Sequence, residues 1–590
     1  MPRASTRKSK RTPARRASRA AAKTTSRGKA SARKKAAARK SGAKKKSVRR
    51  KPAAKKKSTR APRKSATRNP SPESSADELA TKQRDISVSE FFAKNRHLLG
   101  FDNPSKALLT TVKEGVDNAL DACEEARIVP DIRVEIEQLD EKRFRVVIQD
   151  NGPGIVKKEV PKIFGRLLYG SKFHRLRQSR GQQGIGISAA GMYGLLTTGR
   201  PLRVTTRTGR RKPAHRFDLV IDTQKNEPRV KREQEVKWPV HHGTRVEIEL
   251  AGAYRGGQHS VDNYIRQIAL ANPHARLTYE PPKEDSQGES VFDRVTKVLP
   301  PDAVEIKPHP YGVELGVLMQ MFRDTGARNV RTCLQKDFSR VSAATAKKIC
   351  DLAKVSEKRR PSQVTRNEAE ALHKAIQKTK IMNPPTDCIA PIGEKLITAA
   401  LKAEIDADFY TAATRKPTVY RGNPFLIEVG VAYGGRLAAE APAILYRYAN
   451  RVPLQYQQGA CAITKAVIGT NWKSYQLQQP RGALPVGPAL LMVHIASVWV
   501  PFTSESKEAI AHYPDIVKEI RFGLQECGRR MAIHVRKQRR QADELKKRAY
   551  IEQYIPQVAI GLEEILGFGE RERAKVIKNL SGVLERSRKM

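Results

Sequence analysis

Glu114-Gly-Val-Asp117-Asn118-Ala-Leu-Asp121-Ala, Asp150-Asn-Gly152-Pro-Gly154-Ile and Arg180-Gly181-Gln182-Gln183-Gly184-Ile185-Gly186-Ile187-Ser-Ala-Ala-Gly191 are the stretches on which the reading of this 590-residue chain turns. The first lies in Leu108 to Ala126, where apolar residues at 108, 109, 112, 116, 119, 120 and 123 share one helical face. Glu114 and Asn118, four apart, project together. Asp117 and Asp121 fit the helix surface. The second stretch closes two alternating segments, Ile132 to Ile136 and Phe144 to Ile148, that read as strands. The third is a glycine loop entering a helix, Ile187 to Tyr193. Backbone N–H groups at such a start bind phosphate. Gly184-x-Gly186-x-x-Ala189 also fits a dinucleotide fingerprint. That reading needs a preceding strand and an acid about 20 residues on. Arg177-Gln-Ser-Arg-Gly-Gln-Gln is no strand, and Leu202 to Arg207 holds no acid. No Gly-Lys-[Ser/Thr] Walker A motif occurs.

In this order, the three stretches resemble the nucleotide site of the Bergerat-fold ATPases, the group that contains gyrase, a heat-shock chaperone, histidine kinases and a mismatch-repair ATPase. The expected cofactors are ATP and Mg²⁺. In that reading Glu114 accepts a proton from the water attacking the γ-phosphate, and the amide oxygen of Asn118 holds Mg²⁺. Asp150 accepts from the exocyclic amine of adenine, with Gly152 and Gly154 letting the backbone approach the base. Arg180, Gly181, Gly184, Ile185, Gly186 and Ile187 form the phosphate loop. Gln182 and Gln183 either contact phosphate or shape the lid, and Ser171 and Lys172 are further phosphate contacts.

Outward from the site, composition divides the chain. Residues 1–72 hold 29 Lys or Arg and no acid, so of the formal charge of +53 the rest carries 53 − 29 = +24. The first aromatic residue is Phe91. Such a segment cannot bury enough surface to offset its entropy, so residues 1–85 are expected to form a disordered Lys/Arg/Ala-rich tail, similar to those of linker histones. A polycation favours a polyanion through counterion release, in a salt-sensitive and nearly sequence-blind way. Six scattered cysteines without a Cys-x-x-Cys pair read as reduced core thiols, not as a zinc site or disulfide framework. No secretory signal or run of 18 apolar residues occurs, so neither export nor a membrane span is expected, and the localisation read from this is cytoplasmic, nucleoid-associated.

Residues 86–305 alternate helix and strand patterns, with further strands at Leu202 to Arg207, Arg216 to Ile221 and Thr244 to Leu250; a mixed sheet covered by helices on one face is expected. Residues 306–390 read as short helices: Val313 to Asp324, Thr332 to Phe338, Ala343 to Asp351 and Asn367 to Thr379. In 391–590, strands at Phe425 to Ala432 and Ala489 to Val500 precede helices at Ser506 to Tyr513 and Ile516 to about Tyr550, then a segment from Gln557 to Ile565. Asp406-Ala-Asp408 reads as a helix end, and Arg447 and Arg451 as exposed-face candidates.

Longer stretches narrow the resemblance. Gly165-Arg-Leu-Leu-Tyr-Gly-Ser171-Lys172-Phe-His, Tyr420-Arg-Gly-Asn-Pro-Phe-Leu-Ile-Glu428, Ala432-Tyr-Gly-Gly435, Asn450-Arg451-Val-Pro453-Leu454 and Val500-Pro-Phe-Thr-Ser504-Glu-Ser506-Lys507-Glu508-Ala-Ile closely resemble the topoisomerase VI B-subunit family, from about residue 86 to the end. The resemblance implies an α/β multidomain fold: a Bergerat ATPase α/β sandwich (86–305), a helix-two-turn-helix domain (306–390) and a ribosomal-S5-like transducer (391–590) ending in long helices that reach the A subunit. It implies that Lys507 is a switch lysine reaching the γ-phosphate, that the ATPase domains dimerise on ATP, and that an A2B2 heterotetramer passes one DNA duplex through a break made by the A subunit. Asn450, Arg451 and Pro453 are equally readable as structural, and the helical middle domain as a DNA contact or a rigid spacer. The rivals are a non-cleaving ATP-dependent DNA clamp of the mismatch-repair type, which shares every nucleotide-site residue, and a chromatin-compacting protein with a decayed ATPase. Intact Glu114, Asn118, Asp150 and glycines oppose decay. A histidine kinase lacks its phosphoacceptor helix here.

Overall fold

The structure, a computed structural model, describes residues 88–170, 175–181, 184–222, 226–282, 288–504 and 506–586. The basic tail therefore falls outside the described residues.

The N-terminal half holds α1 (Val88–Lys94), α2 (Pro104–Glu125), β1 (Asp131–Asp140), β2 (Arg143–Asp150), α3 (Val160–Gly165), α4 (Gly186–Thr198), β3 (Leu202–Arg207), β4 (Ala214–Asp222), β5 (Glu227–Val236), β6 (Gly243–Ala251), α5 (Val261–Ala271), β7 (Arg276–Glu280) and β8 (Ser290–Phe292). Helix α2 begins where Asn103 caps it, its side chain accepting from Lys106 N, with Pro104 at the first helical position. All seven apolar residues read from the sequence are buried in it. The strands form one sheet in the order β5-β4-β3-β6-β2-β1-β7-β8. Neighbours run antiparallel except β1 and β7, which are parallel. Period-2 alternation gives the sheet two unlike faces. Ile132, Val134, Ile136, Val146, Ile148, Ile248 and Leu250 pack beneath α2, α4 and α5 in one apolar cluster. The intervening residues form an ionic lattice, with Arg133 on Glu135 and Glu280, Arg145 on Glu137 and Glu249, and Arg245 on Glu135. Exposed pairs of this kind contribute only about 0–1 kcal/mol each, so the helical face carries the stability.

The middle of the chain holds α6 (Leu315–Asp324), α7 (Val330–Lys336), α8 (Ala343–Ala353) and α9 (Arg366–Lys378). They enclose a separate apolar cluster built on Leu318, Phe322, Leu334, Ile349, Leu372 and Ile376. Side-chain caps at Asn329, Ser342 and Thr365, the last a full capping box with Glu368, start three of them.

The remainder holds α10 (Glu394–Glu404), β9 (Phe409–Thr414), β10 (Thr418–Tyr420), β11 (Asn423–Tyr433), β12 (Ile444–Ala449), β13 (Val452–Pro453), α11 (Ala462–Ile468), β14 (Ala489–Ser497), α12 (Pro514–Leu566) and α13 (Glu570–Arg586). The second sheet runs β10-β11-β14-β12-β13, with β9 on β11. Every residue of β14 is buried, as a sheet covered on both faces requires. Ile427, Val429, Val431, Leu491, Val493 and Ile495 meet α11 and the start of α12. Their neighbours Ala432, Leu490 and Met492 meet α10 and the end of α5. The six cysteines are free and buried. Among the described residues no helix is long and apolar enough to cross a membrane.

Four sequence expectations are corrected. Ser506 to Tyr513 is not helical: Phe502 and Ile510 form an antiparallel bridge, and Lys507 between them has the left-handed φ of 53°. Tertiary demand wins there, because Ala509 and Ile510 are drawn into the core. The two C-terminal segments are one 53-residue helix, α12, running through Pro556, with Ile555 and Ala559 buried where it packs on α13. Asp117 and Asp121 are buried rather than on the helix surface, and Arg447 and Arg451 are likewise buried. Asp406 and Asp408 do follow a helix end, α10 stopping at Glu404.

Candidate nucleotide site

A cavity of about 540 Å³ lies where α2, the ends of β2 and β6, the glycine loop and the segments around residues 455 and 507 converge. Helix α2 supplies Glu114 and Asn118 from successive turns, as their spacing requires. The carboxylate of Glu114 rests against the first residue of α4, and a Cβ on Gly186 would overlap its Oε2. Glycine at 186 thus lets the carboxylate reach the N-terminus of α4, where phosphate is favoured by unpaired N–H groups and the helix dipole. Asn118 is exposed and lines the cavity. Its amide suits Mg²⁺, which takes few protein ligands and keeps water and phosphate oxygens; no cluster of three His, Cys, Asp or Glu exists among the described residues to form a cage of its own.

Asp150 ends β2 at the cavity floor. Its Oδ1 accepts from Gly152 N at 2.8 Å and Thr244 N at 3.1 Å, which leaves Oδ2 for a donor. Burial pushes its carboxyl up to about 6, against those two N–H donors. Gly181, Gly184, Ile185, Gly186 and Ile187 line the cavity; Gly152 and Gly154 do not. Gly152 caps Asp150 and its carbonyl meets His242 Nδ1 at 2.8 Å. Gly154, at φ +71°, packs on the carbonyl of Arg207, where a Cβ would clash. Ser171, Lys172, Gln182 and Gln183 lie outside the described residues.

Lys507 reaches the cavity from the opposite side, its Nζ donating to Arg180 O at 3.3 Å. Burial lowers its pKa, with Glu114 opposing the shift. Its neighbour Glu508 pairs with Lys106 of α2 at 2.6 Å.

The side chain of Arg180, read from the sequence as a phosphate ligand, is committed elsewhere. Its guanidinium donates to Asp121 Oδ1 at 2.8 Å, Glu124 Oε1 at 2.6 Å and Asn272 Oδ1 at 2.6 Å. Burial alone would lower its pKa; Glu124 and Asp121 more than offset that. The sequence hid this because the acids sit on the inner side of α2, which only the fold reveals. Asp117, equally hidden, is buried with Oδ1 unpartnered, and burial pushes its carboxyl up to about 7.

A carboxylate, an amide and a glycine-rich helix start thus surround one cavity. Residues 103–251 match the family model described as histidine kinase-, DNA gyrase B-, and HSP90-like ATPase. Residues 384–547 match that of the topoisomerase VI B subunit, transducer. The chain is 48% identical over 492 residues to the type 2 DNA topoisomerase 6 B subunit of Methanococcoides burtonii, covering 83% of this chain and 79% of that protein. It is 46% identical over 516 residues to that of Methanosarcina barkeri, covering 87% and 83%, and 47% identical over 507 residues to that of Archaeoglobus fulgidus, covering 86% and 83%. The chain belongs to the topoisomerase VI B-subunit family and carries its ATPase and transducer.

Proposed function

We propose that this chain binds ATP with Mg²⁺ in the 540 Å³ cavity and uses hydrolysis to drive strand passage as the B subunit of a type IIB DNA topoisomerase. Glu114 acts as the general base, removing a proton from water in line with the γ-phosphate. Asn118 holds Mg²⁺, which neutralises phosphate charge when bound. Asp150 Oδ2 accepts from the adenine amine, and the N–H groups from Gly181 to Ile187 cradle the phosphates, joined by Ser171, Lys172, Gln182 and Gln183. Lys507 is the switch, a cation that finds an anion before hydrolysis and loses it after. The observation that carries the reading is that Glu114 and Lys507, one from each half of the chain, line the same cavity.

The domains assigned are 86–305 for ATP, 306–390 for the helix-two-turn-helix unit and 391–590 for the transducer, supported by separate apolar clusters. The partners are a DNA-cleaving A subunit met by the C-terminal helices, double-stranded DNA, and a second copy of this chain across the ATPase domain. Glu114→Gln removes the base but not the cradle, so nucleotide affinity is retained while hydrolysis falls by about 10²–10⁴-fold. Calorimetry with a non-hydrolysable analogue and a phosphate-release assay read the two separately; undiminished hydrolysis would refute the base assignment.

A further inference from the structure

Between the two halves lies a buried polar array that the nucleotide site does not use. The stem of the glycine loop, residues 178–180, is its centre. Gln178 Oε1 accepts from Ala390 N at 2.8 Å. Ser179 O accepts from Asn450 Nδ2 at 3.0 Å, and the same amide donates to Ser497 O of β14 at 2.9 Å while its Oδ1 accepts from Ser497 N. Arg451, the next residue, donates to Ala390 O at 3.0 Å, places Nη1 3.8 Å from Glu124 Oε1, and offers its own N–H to His494 Nε2 at 3.0 Å. Glu124 binds the guanidinium of Arg180 as well. Two arginines from two halves of the chain thus share one carboxylate of the helix that carries Glu114.

The backbone underlines the point. Asn450 and Arg451 form the two-residue turn between β12 and β13, and both are left-handed, at φ 48° and 68°. Asparagine tolerates this region; arginine carries a cost there that persists only where the surroundings impose it. The strand leaving the turn brings Gln455 to the wall of the nucleotide cavity, with its Nε2 buried and unpartnered.

We propose that the Asn450–Arg451 turn is a second coupling arm between nucleotide and transducer, independent of the amine of Lys507. A triphosphate held at the N-terminus of α4 displaces the stem, residues 178–180; Asn450, Arg451 and Ala390 pass that displacement to β14. Asn450 and Arg451 are positioning residues, since neither touches the nucleotide. The inference rests on the cavity being the ATP site.

The test is hydrogen exchange of residues 489–497 in the full chain, as the difference between a non-hydrolysable ATP analogue and ADP. Lys507→Ala alone is expected to keep a measurable difference, and Lys507→Ala with Arg451→Gly to lose it. Glycine relieves the left-handed strain, so loss of the signal is not loss of the turn. Arg451→Lys, which keeps the charge beside Glu124, should restore part of the difference. Should Arg451→Gly fail to bind ADP, Asn450→Asp replaces it, keeping the turn conformation and removing the donor to Ser179. A difference abolished by Lys507→Ala alone, or surviving the double substitution, overturns the proposal. Failure of the unaltered chain to bind either nucleotide by calorimetry would instead remove the ATP site on which it stands.

Discussion

Within about two turns of α2 three acidic residues meet three different fates. Glu114 reaches the cavity, Asp121 is neutralised by Arg180, and Asp117 is buried without a partner for Oδ1. Asp117 makes stability depend on pH. Its carboxyl, near 4 in an unfolded chain, is pushed up to about 7 by burial. Between those values the folded chain holds a proton that the unfolded chain has lost, so stability falls as pH rises through the window, by on the order of 4 kcal/mol when complete. Asp117→Asn should therefore raise Tm at pH 8 and raise it progressively less towards pH 5; a gain that does not change with pH would contradict the assignment. Spacing alone brings Glu114 and Asn118 to one cavity, as the sequence indicates. A partner distant in sequence stays hidden: the guanidinium of Arg180, beside a glycine loop, is held by Asp121 and Glu124.

Among the elements, the strands and helices of the first sheet follow the hydrophobic period, because one buried face leaves a regular pattern. The loop at Lys507 does not. Ser506 followed by Glu508-Ala-Ile has the look of a capped helix start, yet the pull of Ala509 and Ile510 into the core and the pairing of Glu508 with Lys106 impose a bridged turn. The C-terminal segments depart in the other direction, being continuous through Pro556. A proline inside a helix removes one hydrogen bond and crowds the preceding turn, at about 3 kcal/mol. In a helix of 53 residues packed locally on α13 that cost is tolerated. Pro556→Ala should then slow amide exchange around residues 552–560, by up to about 3 kcal/mol of local opening free energy; unchanged exchange would show that the proline sits where the helix is already relaxed.

For the whole molecule, charge and coupling are separable. The 29 cations of residues 1–72 belong to no motif of the ATP site. Their removal should leave ATP hydrolysis intact and flatten the salt dependence of DNA binding, by about 0.9 in log–log slope for each phosphate no longer contacted; an unchanged slope would mean that the tail does not touch DNA. The central claim is that one cavity, served by Glu114 from the ATPase half and Lys507 from the transducer half, converts ATP into DNA strand passage. The measurement that tests it most directly combines this chain with its DNA-cleaving partner, supercoiled circular DNA, Mg²⁺ and ATP, and resolves topoisomers on a gel. The account predicts ATP-dependent relaxation in steps of two linking numbers, as duplex passage requires, and its loss with Lys507→Ala. ATP hydrolysis stimulated by DNA without any change in linking number would contradict it and favour a non-cleaving DNA clamp.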